Sequence, residues 1–362
     1  MRLLFLPENH VLPLARLLAA RYRFWGPAAK GGAFVFEEIA DVSRLRLDYS
    51  TTLLPPKQAF LPPREILARI DIETHECRSP ARPGKPIALF GVHPCDLHGL
   101  AHLDLAMGEP PADAPYWRAR KDAFIVGLAC VQRCMPESFC DSVESHRAGG
   151  PFDWMFTPVA GGYVVELRGE AGEREASESG LFEVAGESWK KNYDETRDRI
   201  EKTFSGRRLN LASLSSDLER SFQDGWWEKL ADRCFSCGAC TAVCPTCVCF
   251  DVQDEIAEGC RMAERCRSWD SCLIRNFAEV AGGENFRKLR SERLRHRMMR
   301  QGAYLAGRFG LPVFCVGCGR CPHACLGKIS PLEAFEHSRK FPIRRYAQRL
   351  VEHIKNGVTR HE

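Results

Sequence analysis

Two stretches of the chain set four thiols at the same short intervals. Cys234-x2-Cys237-x2-Cys240-x3-Cys244, followed by Pro245, is one; Cys315-x2-Cys318-x2-Cys321-x3-Cys325 is the other, 81 residues later. Three thiolates two residues apart on a turning loop can grip three iron corners of one cube, and runs of this spacing bind cubane 4Fe–4S clusters. Structural zinc instead favours paired C-x2-C hooks over a triple followed by x3. Gly238 after Cys237, and Gly317 and Gly319 around Cys318, let the backbone wrap closely and aim amides at sulfur. The chemistry this predicts is one-electron transfer.

The double run resembles that of two-cluster ferredoxins, where the fourth cysteine of each run ligates the other cluster. Carried over, the resemblance implies Cys234, Cys237, Cys240 and Cys325 around one cube. Cys315, Cys318, Cys321 and Cys244 would then hold the second. Leu326 stands where a proline usually follows the last cysteine, a change that removes no ligand.

Ten of the 18 cysteines remain. Cys95, Cys130, Cys134 and Cys140 fall at the ends of predicted strands, where neighbouring strands converge. They are candidates for a third iron–sulfur cluster, with Asp96 as a further ligand; the plainer expectation is that they simply pack. Cys77 reads as structural. Cys247, Cys249, Cys260, Cys266 and Cys272 lie between the quartets without regular ligand spacing. Shielding and tuning of the first cluster is the favoured reading, ahead of a redox-active thiol pair or a further metal site. Arg287 to Arg300 is a basic run with two readings, a solvated helix face or a docking surface for an acidic ferredoxin or partner subunit.

The elements that must position these thiols divide the chain in two. At 362 residues it exceeds what one compact core usually holds. Residues 1–205 read as an α+β or α/β domain. Ala33–Ile39, Pro86–Val92 and Ala123–Leu128 are strand-like runs, a helix starts at Pro94, and Trp154–Leu167 is a hairpin. Gly169 to Gly206 reads as a surface insertion followed by a solvated helix. Residues 206–362 read as a mainly helical, ferredoxin-like domain, with helices from Ser213 to Leu230 and from Glu284 to Leu305. A net charge of +4 is too even for nucleic acid to be the default partner. No nucleotide-binding G-x-G-x-x-G, P-loop or G-x-S-x-G element is evident. No apolar run of 18 residues suggests a membrane span, so a cytoplasmic protein is expected. In that reducing compartment, tightly spaced cysteines bind metal more often than they form disulfides.

Further segments carry a broader resemblance. Phe90-Gly91-Val92-His93-Pro94-Cys95-Asp96-Leu97, Cys244-Pro245-Thr246-Cys247-Val248-Cys249-Phe250-Asp251-Val252 and Arg267-Ser268-Trp269-Asp270-Ser271-Cys272 are three of them. Val280-Ala281-Gly282-Gly283-Glu284-Asn285-Phe286-Arg287 and Cys315-Val316-Gly317-Cys318-Gly319-Arg320-Cys321 are two more. Together they resemble the β subunit of cytoplasmic sulfhydrogenases and its counterpart in anaerobic sulfite reductase. The resemblance implies an electron-transfer subunit with two 4Fe–4S clusters. Its partners would be a flavoprotein NAD(P)H-oxidising or ferredoxin-linked subunit and a separate catalytic subunit. His93 departs from the arginine expected at that place. The alternative is a cysteine-rich subunit with its own substrate-reducing cluster or thiol site.

Overall fold

The computed structural model describes residues 2–80, 84–184, 186–206 and 209–340. The end of the second expected domain, 341–362, lies outside them. The first half runs β1 (Arg2–Pro7), α1 (Val11–Arg21), β2 (Arg23–Lys30), β3 (Ala33–Glu38), β4 (Arg64–Asp71), β5 (Cys77–Arg78), β6 (Ile87–Val92), α2 (Pro94–Gly108) and α3 (Ala114–Arg120). It continues with β7 (Phe124–Leu128), β8 (Trp154–Val159), β9 (Gly162–Leu167), α4 (Gly169–Ser179), β10 (Glu183–Val184) and α5 (Glu187–Thr203).

Eight of these strands form one sheet in the order β10-β1-β9-β8-β7-β6-β2-β3, with β2, β6, β7 and β8 parallel. The central strands are apolar on both faces because helices cover both. On β6, Ala88 and Phe90 pack with Leu14 and Leu18 of α1, while Ile87 and Leu89 pack with Leu100 and Leu103 of α2. The expected strands, the helix from Pro94 and the hairpin are all present. The expected insertion after Gly169 is not. Gly172 and Ala176 of α4 are buried, Trp154 Nε1 donates to Gly172 O at 2.9 Å, and β10 pairs with β1. Glu170, Glu173 and Glu178 made α4 read as a solvated segment and hid the inward side, where even Glu175 is buried, accepting from Arg21 and Tyr22.

The second half runs α6 (Leu214–Arg220), α7 (Trp226–Ala231), α8 (Ala239–Ala242), β11 (Phe250–Ile256), β12 (Met262–Trp269), α9 (Arg290–Met299), α10 (Leu305–Phe309), α11 (Arg320–Ala324) and α12 (Pro331–Arg339). Leu214, Leu218, Trp227, Leu294, Met298 and Phe335 build its core. The helix expected from Ser213 breaks at the Gln223-Asp224-Gly225 turn, where Asp224 N–H bonds Ser221 O and Trp227 N–H bonds Asp224 O. The helix expected from Glu284 begins only at Arg290, because residues 284–286 fold back on 278–280, with Val280 N–H on Glu284 O and Phe286 N–H on Ala278 O. It then widens into a π-helical turn at Arg300–Tyr304.

The term mainly helical therefore fits this half only in part. Long cysteine loops take up much of it, and β11 and β12 form a hairpin that the sequence reading missed. That hairpin joins β4 and β5 in a second sheet, β11-β12-β4-β5, pairing strands from either side of residue 205. Among the described residues no helix is long and apolar enough to cross a membrane.

Candidate iron–sulfur centre

The two quartets fold as copies of one loop. In each, the amide two residues after the first cysteine points at its sulfur: Ser236 N–H to Cys234 Sγ and Gly317 N–H to Cys315 Sγ, both at 3.4 Å. In each, a glycine with φ near +80°, Gly238 or Gly319, follows the second cysteine and opens a short helix carrying the third. Those helices, α8 and α11, pack on each other. Cys234, Cys244, Cys318 and Cys321 are buried; Cys237 is exposed.

Cys244, two residues after α8, faces the second loop. Burial, and next the nearby Cys244 sulfur, push the Cys315 thiol up to about 12. Cys318 rises to about 11 through burial, with Cys244 again among its neighbours. Cys321 is raised by burial and by Cys315, Cys318 and Cys244. Cys240 is raised by burial and senses Cys234 and Cys244, so Cys244 stands between the two sets.

Arg297 of α9 fills the space between them. Its Nη2 donates to Cys240 O at 2.9 Å, but its buried Nε and Nη1 have no protein partner. Burial opposes its charge, yet the sulfurs of Cys240, Cys247, Cys321 and Cys244 sustain it. A buried guanidinium with unused donors needs acceptors and negative charge beside it. Thiolate-bound cubanes, whose sulfides accept hydrogen bonds, are such a group, so these residues fit 4Fe–4S clusters. Among the described residues no three His, Cys, Asp or Glu side chains close on a single-ion site. A cube, with an iron at each of four corners, takes ligands spread wider than that.

Gln301, in the π-helical turn, ties the loops together. Its carbonyl accepts from Phe314 N–H at 2.9 Å and Cys315 N–H at 3.2 Å. Its side-chain Oε1 accepts from Thr246 Oγ1 at 2.9 Å, and Thr246 Oγ1 lies 3.3 Å from Cys244 Sγ. The widened turn frees that carbonyl from the helix ladder.

The N-terminal cysteines converge on the second loop. Cys95 opens α2 after β6, and Cys130, Cys134 and Cys140 lie on the loop after β7, beyond the carboxyl ends of parallel strands. Burial raises all four thiols. Cys130 senses Cys134 and Cys140, and Cys95 and Cys140 both sense Cys318. The contact is backbone to backbone: Phe139 N–H donates to Gly317 O at 2.8 Å. A Cβ on Gly317 would stand 2.7 Å from the Phe139 carbonyl carbon, so only glycine fits there.

Asp96 is not available as a ligand. Both its oxygens accept from Arg320, at 2.6 and 2.7 Å, and Arg320 Nε donates to Thr52 O at 3.0 Å, all buried. This ion pair locks the loop of the second quartet to the N-terminal sheet. The preceding His93 stacks on Tyr49 at 4.1 Å, and burial keeps its imidazole neutral, near 4.

Of the intervening cysteines, Cys260 is exposed at the hairpin turn and Cys266 sits 3.2 Å from Arg64 Nη2, apart from both sets. Cys247 lies beside Cys244, and Cys249 beside Cys272. A cavity of about 220 Å³ is lined by Cys237, Cys247, Cys249, Lys57, Trp269 and Asp270. Lys57 is buried there, donates to Cys247 O at 2.7 Å and lies over the Trp269 ring. Sequence reasoning missed Lys57 and Gln301, since neither belongs to a ligand motif.

The basic run is a solvated face only in part: Lys288 and Arg290 are exposed, but its inner arginines turn inward. Arg293 and Arg297 are buried, Arg293 donates to Leu273, Arg287 and Lys288 carbonyls, and Arg295 bonds Phe222 O.

Residues 233–329 match the family model of the 4Fe-4S dicluster domain. No solved structure matches the chain. Sulfhydrogenase 2 subunit beta of Pyrococcus furiosus is 36% identical over 321 residues, covering 88% of this chain and 92% of that protein. With the paired cysteine loops and that extent of identity, the chain belongs to the sulfhydrogenase β-subunit family of iron–sulfur electron-transfer proteins.

Proposed function

We propose that the chain is the electron relay of a multi-subunit oxidoreductase. Cys234, Cys237, Cys240 and Cys325 hold one 4Fe–4S cube, and Cys315, Cys318, Cys321 and Cys244 hold the second. Cys95, Cys130, Cys134 and Cys140 hold a third. When bound, each cluster stores one electron, so a two-electron input is split into single transfers. The relay joins a flavoprotein NAD(P)H-oxidising or ferredoxin-linked subunit to a separate catalytic subunit, hydrogenase- or sulfite-reductase-like, in the cytoplasm.

The observation that carries this reading is Arg297, buried between the two sets with donors unused. The chain's own tasks are to ligate, to exclude water and to set charge. Cys237 is exposed, two residues after Phe235 at 68% exposure, and marks the end at which a partner docks. The test is whether the anaerobic chain, reduced by a viologen, passes electrons to a one-electron acceptor. Failure of both reduction and reoxidation would refute the relay.

Arg297→Gln is expected to make the potential of the neighbouring cluster more negative. A unit charge several ångströms away is worth on the order of 2 kcal/mol at an effective dielectric near 20. For a one-electron couple that is on the order of 100 mV. A spectroscopic redox titration of the variant beside the parent chain checks it; an unchanged potential would place Arg297 outside the clusters' field.

A further inference from the structure

Cys249 and Cys272 belong to none of the three proposed ligand sets, yet they stand thiol to thiol. Cys249 immediately precedes β11, and Cys272 follows β12 by three residues. Phe250 pairs with Trp269, and Asp270 N–H donates to Cys249 O at 3.0 Å, so both cysteines meet at the base of the hairpin. The Cys272 thiol and backbone N–H hold the Cys249 thiol below its ordinary value, and Cys249 in turn raises Cys272. Their surroundings differ. Cys272 is only 2% exposed, whereas Cys249 is half-buried and lines the 220 Å³ cavity together with Cys237, Lys57 and Trp269. Arg297 and Arg300 face the Cys249 sulfur and favour its thiolate. A reachable thiol in a positive field with a second thiol beneath it is the arrangement of a thiol–disulfide exchange centre.

We propose that Cys249 and Cys272 form a dithiol–disulfide redox pair that reduces small disulfides entering this cavity, Cys249 attacking and Cys272 resolving. The Cys249 thiolate attacks one sulfur of the substrate; the substrate S–S bond breaks and a mixed disulfide forms on Cys249. Cys272 then attacks the Cys249 sulfur, releasing the second half of the substrate and leaving the Cys249–Cys272 disulfide. The two thiol protons leave with the two product thiols. Two electrons and two protons restore the pair, the protons from water and the electrons singly from the relay proposed above, on which this inference rests. The sum is one disulfide, two electrons and two protons giving two thiols.

The test uses the full chain, purified anaerobically with its metal content assayed, and 2-hydroxyethyl disulfide as probe. After exposure, acid quench and alkylation, peptide mapping is expected to find Cys249 and Cys272 joined and two hydrogens lighter. Reduced benzyl viologen is expected to restore both thiols and sustain turnover. In Cys272→Ser the reaction is expected to stop with one half of the probe bound to Cys249, with turnover lost and iron content unchanged. Free thiols at both positions in an iron-loaded chain would overturn the pair and leave the relay reading intact. A chain that forms the disulfide but holds no iron, and is not re-reduced, would overturn the relay reading instead. If Cys272→Ser does not fold, the mapping of the parent chain decides alone.

Discussion

Cys244→Ser is expected to empty the cysteine set of the second loop, Cys315, Cys318 and Cys321, and to spare the set that contains Cys234. Chain order argues the opposite, since Cys244 is four residues from Cys240 and 71 from Cys315. The packing argues for the second loop. Cys244 follows α8, which packs on α11, by two residues, and its sulfur acts on Cys315, Cys318 and Cys321. Iron is expected to fall by about four per chain, one cube's worth. The residual paramagnetic signal of Cys244→Ser is expected to match that of Cys318→Ser and to differ from that of Cys237→Ser. A match to Cys237→Ser would mean that each loop closes its own cube.

The second large effect belongs to Asp96. Asp96→Ala leaves the Arg320 guanidinium buried with the Thr52 hydroxyl and carbonyl as its remaining partners. Breaking a buried pair from one side costs about 3–5 kcal/mol, because the surviving charge stays out of water. Denaturant unfolding of the parent and variant chains measures it. The exposed pair Arg2–Glu173 is the control, since such pairs are worth about 0–1 kcal/mol. A loss below about 1 kcal/mol at Asp96 would mean that water reaches Arg320.

The ion pair also explains how much of this molecule was legible in its sequence. The quartets were readable because cluster ligation is local: x2 and x3 spacings and adjacent glycines write the loop directly into the chain. The central strands were readable because burial on both faces gives unbroken apolar runs such as Ile87–Val92. What joins distant segments was not. Asp96 looked like a ligand beside Cys95, and only the fold brings Arg320, 224 residues later, onto both of its oxygens.

The same limit applies to the basic run and the hairpin. Arg293 and Arg297 had the composition of a solvated face, but buried sulfur and backbone carbonyls turn them inward. Phe250, Val252 and Ile256 alternate with Asp251, Gln253 and Glu255, but all seven residues of β11 are exposed, so no core burial fixes that alternation as a strand. It is a strand because β12 pairs with it. Lys57 was silent for a similar reason: its partner, Cys247 O, is a backbone atom 190 residues away.

The central claim is that the cysteine sets of this chain hold iron–sulfur clusters. Its most direct test is iron and acid-labile sulfide per chain on anaerobically purified protein, with the reduced sample examined by electron paramagnetic resonance. About twelve of each is the predicted result, three cubes close enough to interact magnetically. About eight would confine the clusters to the two quartets and leave Cys95, Cys130, Cys134 and Cys140 as packed thiols. A colourless chain holding zinc in place of iron would contradict the account.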